Sequence, residues 1–132
     1  MNLKILSEHI EQSNPPQEPL KLTIPLAEIF PEMGSEESLV FREPGIAEHA
    51  WAMKDAEAIR GRYYPEATTE LVQTIALIAV CHQEPSDTGM SRAEFYVNLA
   101  KHHKTAFMRL VGLLATILQG VSDESVREKK DG

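Results

Sequence analysis

Residues 68–82 place Leu71, Val72, Ile75, Ala76, Ile78, Ala79 and Val80 around most of the circumference of a helix. A helix that is apolar on nearly every side has to be surrounded by other elements. Its longest uninterrupted apolar run, from Ile75 to Cys81, is seven residues, far short of the ~20 that a membrane span needs. The segment therefore predicts the buried centre of a soluble domain. The chain has 132 residues, one domain's worth, and such a domain buries roughly 65–70% of the surface its unfolded chain exposes. Cys81 is the only cysteine, so no intrachain disulfide supports the core and a reducing cytosol is the expected compartment.

The surrounding sequence supplies partners for that centre. Residues 46–59 hold five alanines, Trp51 and Met53 without a proline or glycine, which predicts a helix. Arg60-Gly61-Arg62-Tyr63-Tyr64-Pro65 reads as the breaker after it. Ser91 and Glu94 form a capping-box pattern, with Met90 and Phe95 spaced as its hydrophobic staple. The helix they start runs to about His103, with Phe95, Leu99 and His102 on one face. A fourth helix, residues 105–119, presents Phe107, Leu110, Val111, Leu114, Ile117 and Leu118, with Gly120 as its stop.

Strand signals are confined to the first third. Leu20, Leu22, Ile24 and Leu26 alternate with Lys21, Thr23 and Pro25, the period of a half-buried strand. Residues 38–42 form a second, closed by Pro44, after a loop with Pro31 and Gly34. Leu3, Leu6 and Ile10 share one face of a short N-terminal helix. Residues 13–19, with three prolines, read as a linker. The expected class is mainly α, a helical domain of about four helices with a minor two-stranded β-ribbon near the N-terminus. Its divisions are residues 1–19 as N-terminal segment and Pro-rich linker, 20–121 as the domain, and 122–132 as a charged tail.

Charge removes several function classes. The net charge is −7, which opposes nonspecific binding to nucleic acid or anionic membranes, both of which need a basic face. Lys4, Glu8, His9 and Glu11 interrupt the N-terminal apolar residues, so no signal peptide is expected. The charge is unevenly spread: residues 1–60 carry five Lys/Arg against eleven Asp/Glu, whereas residues 90–120 carry Arg92, Lys101, Lys104 and Arg109 against Glu94 alone.

The search for chemistry yields few candidates. Cys81-His82 and His102-His103 are adjacent pairs, and helical neighbours project ~100° apart, so neither chelates well. A Cys81–His102 dyad needs two helices to align, and the stronger reading of Cys81 is a small buried hydrophobe. The seven glycines are scattered without phosphate-loop or dinucleotide spacing. The twenty carboxylates show no pair set apart for acid–base work. No catalytic, cofactor-binding or metal-binding residue emerges, and the expectation is a protein that is not an enzyme and takes no cofactor. Candidates for partner contact remain: Lys101, Lys104 and Arg109 as a cationic surface for an acidic protein, and Trp51, Tyr63 and Tyr64 as aromatic anchors, with Trp51 in the core and the tyrosines at a helix end as the equal alternative. The rival assignment is a small helical regulator binding nucleic acid through residues 101–109; the connection before the third helix is too long for a helix-turn-helix joint.

The order of elements carries one resemblance. Leu39-Val40-Phe41-Arg42-Glu43-Pro44 ends a strand in hydrophobic-Arg-Glu-Pro, and is followed by an Ala-rich helix, a nearly all-apolar helix, a loop and a capped helix pair. Over residues 20–121 this resembles the tail assembly chaperones of long-tailed bacteriophages, with Arg42 and Pro44 matching the family element position by position. The resemblance implies a non-enzymatic protein of the infected host's cytoplasm, absent from the mature virion. It would keep the tape measure protein soluble and recruit the major tail tube protein, with self-association and without nucleic-acid or membrane partners. A groove for an amphipathic client helix is expected beside the third and fourth helices.

Overall fold

The computed structural model describes residues 2–12, 18–84 and 90–119. Among them the elements run α1 (Leu3–Gln12), β1 (Lys21–Pro25), α2 (Leu26–Ile29), a 3-10 turn (Pro31–Met33), β2 (Ser38–Arg42), α3 (Ile46–Tyr63), α4 (Thr69–Cys81), β3 (His82–Glu84), α5 (Arg92–His102), α6 (Lys104–Leu113) and α7 (Ala115–Leu118). The fold is mostly helical with a small antiparallel sheet of order β1-β2-β3. No helix among the described residues is long and apolar enough to cross a membrane.

The sheet is built on apolar alternation. Leu22 stands opposite Phe41 and Ile24 opposite Leu39, so one face of the ribbon carries Ile24, Leu39 and Phe41 into the core, as the period-two pattern requires. Two strands would be marginal alone, and the structure adds a third. The sequence reading of a two-stranded ribbon is corrected here: β3 follows Cys81 without a loop and pairs His82 with Phe41 and Glu84 with Val40. The helix expected to reach His82 stops one residue earlier, because His82 is already extended (φ −66°, ψ 124°). His82-Gln83-Glu84 has no β-branched residue. It becomes a strand because α4 delivers it to the open edge of β2, where unpaired backbone groups seek partners.

Three further boundaries and one buried face differ from the sequence reading. The α3 helix passes through Gly61 and ends only at Tyr63. One glycine costs a helix ~1 kcal/mol, less than continued packing returns, so the break comes from Pro65, which forces Tyr64 out of helical geometry (φ −149°). The loop before β2 contains α2 and the 3-10 turn, closed by Gly34 at φ +62°, a left-handed conformation that glycine adopts freely. The single C-terminal helix is interrupted at Leu114 (φ −93°, ψ 1°), and the short α7 turns so that Leu114 and Ile117 are both fully buried. On α5 the buried residues are Tyr96, Val97 and Leu99, whereas Phe95 is half-buried and His102 exposed. The linker at residues 13–17, the loop at 85–89, Gly120 and the 122–132 tail lie outside the described residues.

The α3 and α4 helices pack against each other at the centre. Ala52, Ala56 and Ile59, at helical spacing on α3, are buried against an α4 in which Val72, Ile75, Ala76, Leu77, Ile78 and Cys81 are all buried. The alanines let the two backbones approach closely, since interaxial distance follows side-chain size. Thr68 starts α4 by accepting the Leu71 N–H at 3.2 Å, and Ser91 starts α5 by accepting that of Glu94 at 3.1 Å. The core draws residues from Ile24 through to Ile117, so strands and helices share one interior.

Candidate docking groove

The Arg42-Glu43-Pro44 element is a corner between sheet and helix. Arg42 at the end of β2 places Nη2 2.8 Å from Glu48 Oε2, and Glu48 Oε1 accepts the Gly45 N–H at 3.0 Å. Glu48 thereby caps the first turn of α3 while its other oxygen holds the strand. These contacts keep the Glu48 carboxyl below the usual carboxylate range, the Gly45 N–H first and the Arg42 guanidinium next. Pro44 supplies the stop and Gly45, without a side chain, the N-cap. On the other side of the corner, the Glu43 N–H donates to the Leu20 carbonyl at 2.8 Å, so the start of the domain is pinned beside the start of α3.

From this corner an apolar groove of about 590 Å³ runs along α3, between it, α4 and the start of α5. Its floor is small and aliphatic, with Ala76, Ala79 and Val80 from α4, and Ala93 closes the α5 side. Trp51 stands on the rim and remains 58% exposed. Asp55 and Arg92 place one charge of each sign on the lining. An indole exposed beside an alanine floor can serve a protein contact, since large rigid aromatics next to desolvated pockets carry most interface energy.

The α5 wall is held from behind. Arg92 Nη1 donates to the His82 carbonyl, and the buried Tyr96 hydroxyl meets His82 Nδ1 at 2.6 Å. The Phe41 and Tyr96 rings lie within 5.6 Å of the His82 ring. Burial pushes the Tyr96 hydroxyl up, with Arg92 opposing. This pair escaped sequence reasoning, which placed His82 at a helix end; only the β2–β3 pairing brings it under Tyr96.

The other sequence candidates divide into separate places. Lys101 Nζ lies 5.2 Å over the Tyr64 ring, Arg62 lies 5.4 Å over Tyr63, and the Tyr63 hydroxyl is 3.4 Å from Ser91 Oγ. Both tyrosines are half-buried seams of the fold. They sit at the far end of α3 from Trp51, ~18 Å away at 1.5 Å per residue. Arg109 donates to the Ile29 carbonyl at 3.2 Å and ties α6 to α2. Lys104 and Arg109 line a shallow hollow with Glu32, His102 and His103. The cations of residues 90–120 thus do not merge into one basic face. The groove expected beside the third and fourth helices is not one feature: a hollow of about 310 Å³ lies against α5, lined by Phe30, Phe95 and Leu99, and another of about 430 Å³ lies between α3, α4 and the last helices, lined by Met53, Leu77, Val111 and Leu118; the groove with Trp51 lies on the α3–α4 pair.

Cys81 and His102 are not a dyad. Cys81 is buried, and burial, with lesser pushes from Glu48 and Glu43 against Arg42, raises its thiol to about 12, while His102 is exposed on α5. A thiol held protonated at neutral pH is inert as a nucleophile. Among the described residues no group of three or more His, Cys, Asp or Glu side chains is placed to hold a metal ion. Compared with known protein families, curated proteins and solved structures, the chain finds no match.

Proposed function

We propose that this protein is a non-enzymatic tail assembly chaperone of the long-tailed phage type, which binds amphipathic helices of the tape measure protein, keeps that client soluble and recruits the major tail tube protein. The observation that carries the proposal is the Ala-floored groove beginning at the Arg42-Glu48 corner with Trp51 exposed on its rim. A tape measure chain is long and helical, and a helix-in-groove receptor reads such a client through apolar anchors at i, i+3 and i+4. Weak contacts repeated along the client retain it by multivalency and still release it segment by segment as the tube grows. The setting is the host cytoplasm, with the mature virion free of the protein. In this scheme Lys101, Lys104 and Arg109 steer acidic stretches of the client, a role suited to exposed charges, which act mainly on association rate.

The nucleic-acid alternative has less support, because the net charge is −7 and the cations of residues 90–120 do not form one basic face. Co-expression with the tape measure protein of the same phage tests the proposal. The client is expected to stay soluble and to co-purify with several copies, and Trp51→Ala is expected to weaken the complex by about tenfold or more, as truncating an aromatic hot spot does. A client equally insoluble with and without the folded protein rules the assignment out.

A further inference from the structure

Among the described residues, the apolar stripe of the N-terminal helix has no partner element packed on it. Leu3, Leu6 and Ile10 lie on one face of α1, and Leu3 and Ile10 are 74% and 63% exposed. Lys4 and Glu11 fall on one flank of that stripe and His9 on the other. A stripe of this kind in water lowers its free energy by finding an apolar groove. The apolar groove along α3 is such a site.

Size and attachment match. The groove follows α3 from Ala47 to Ile59, ~18 Å at 1.5 Å per residue, and the ten residues of α1 make a helix of ~15 Å. The alanine floor admits a helix backbone closely, leaving room for Leu6 and Ile10 beside Trp51. The tether also ends in the right place. Leu20 is bonded to Glu43, through Glu43 N–H to the Leu20 carbonyl and Leu20 N–H to Glu43 Oε1, a few residues from Ala47 at the groove mouth. Residues 13–19 span at most ~23 Å when extended, a reach comparable with the length of the groove.

We infer that α1 is an intramolecular plug for the groove: the helix of the same chain docks Leu3, Leu6 and Ile10 against Trp51, Ala79 and Val80 when no client is bound, and leaves when one arrives. The regulatory consequence rests on the reading of that groove as the client site. A short tether supplies an effective concentration in the millimolar range, which suffices to occupy a weak site about half the time. A plug so balanced shields Trp51 from chance contacts and from other copies of the protein. A long client with many equivalent helices displaces it readily, at a cost in apparent affinity of only about twofold.

The test uses the full-length chain, whose single tryptophan reports from the rim. Acrylamide quenching of Trp51 is compared between the native chain and Leu6→Glu/Ile10→Glu, both exposed positions, with circular dichroism verifying equal folding. The variant is expected to quench about twofold more steeply, as the half-occupied plug is lost. Equal quenching overturns the inference. Independently, Ile10→Cys/Asp55→Cys is oxidised and mass-analysed at low concentration. An intrachain disulfide supports docking in cis, whereas a disulfide-linked dimer or no disulfide overturns it. These readouts contain no client. If the plug is detected and the Leu6→Glu/Ile10→Glu chain binds the tape measure protein no better, the plug stands and the client assignment of the groove falls.

Discussion

Replacing Tyr96 by phenylalanine isolates the contact that anchors the α5 wall of the groove. Tyr96 is 0% and His82 1% exposed, and their bond is 2.6 Å long. The Phe95 ring meets Tyr96 edge-on at 5.0 Å and Phe41 lies at 6.4 Å, contacts that a phenylalanine ring keeps. The transfer and cavity terms therefore nearly cancel, and the loss reduces to one buried hydrogen bond. Deleting one partner of a buried bond costs ~1–3 kcal/mol, including the desolvation left on the other. For a domain of this size that lowers Tm by ~4–12 °C at ~4 °C per kcal/mol. Tyr96→Ala, which also opens a cavity, should cost ~3–5 kcal/mol. Urea melts followed by far-UV circular dichroism measure both, and a cycle with His82→Ala measures the coupling, expected near ~1 kcal/mol or above for residues in direct contact. A Tyr96→Phe protein as stable as the native one, with additive His82→Ala, would refute the claim that this pair holds α5 to the sheet.

Four other substitutions have outcomes set by the same structure. Glu48→Gln should lower stability at neutral pH by ~0.5–1 kcal/mol, a modest figure because the Arg42 and Glu48 side chains are 30% and 40% exposed. The folded carboxyl titrates below its unfolded value, so its contribution is complete above the ordinary carboxylate range and disappears as pH falls through the folded pKa; the gap between native and variant melts should close under acid and persist at pH 7. Gly61→Ala should stabilise by ~0.5–1 kcal/mol, because Gly61 lies inside α3 with nothing within 4 Å of an added Cβ. Gly34→Ala, in equally open space but at φ +62°, should instead destabilise by ~1 kcal/mol, so thermal melts of opposite sign test backbone conformation free of packing. Leu114→Ala should cost ~2–5 kcal/mol, since that side chain is fully buried where α6 hands over to α7.

Much of the architecture is legible in the residue pattern, because it depends on periodicity. The apolar circumference of α4, the alternation in β1, the Ser91 and Thr68 caps and the stop at Pro44 all express local rules that act over a few residues, and each element lies where its pattern falls. Trp51 was identifiable as an aromatic of uncertain side; its 58% exposure is a property of what packs next to it. Arg42 was legible as part of a strand end, but its bond to Glu48 needs the helix to turn back beside the strand.

What sequence alone left open concerns contacts between distant segments. His82-Gln83-Glu84 has no strand composition, and it pairs because the end of α4 arrives at the free edge of β2. The same event buries His82 against Tyr96 and rotates the buried face of α5 away from Phe95 and His102. The helix expected to end at Ile59 runs on to Tyr63, since packing along α3 outweighs one glycine. The cations that look like a cluster in sequence separate in space, because Lys101 turns to Tyr64 while Arg109 turns to the Ile29 carbonyl. Local propensity thus determined which segments are helices and strands. Tertiary structure decided the third strand, the buried His82–Tyr96 pair and the groove, for these arise where surfaces far apart in sequence compete for the same apolar and hydrogen-bonding partners.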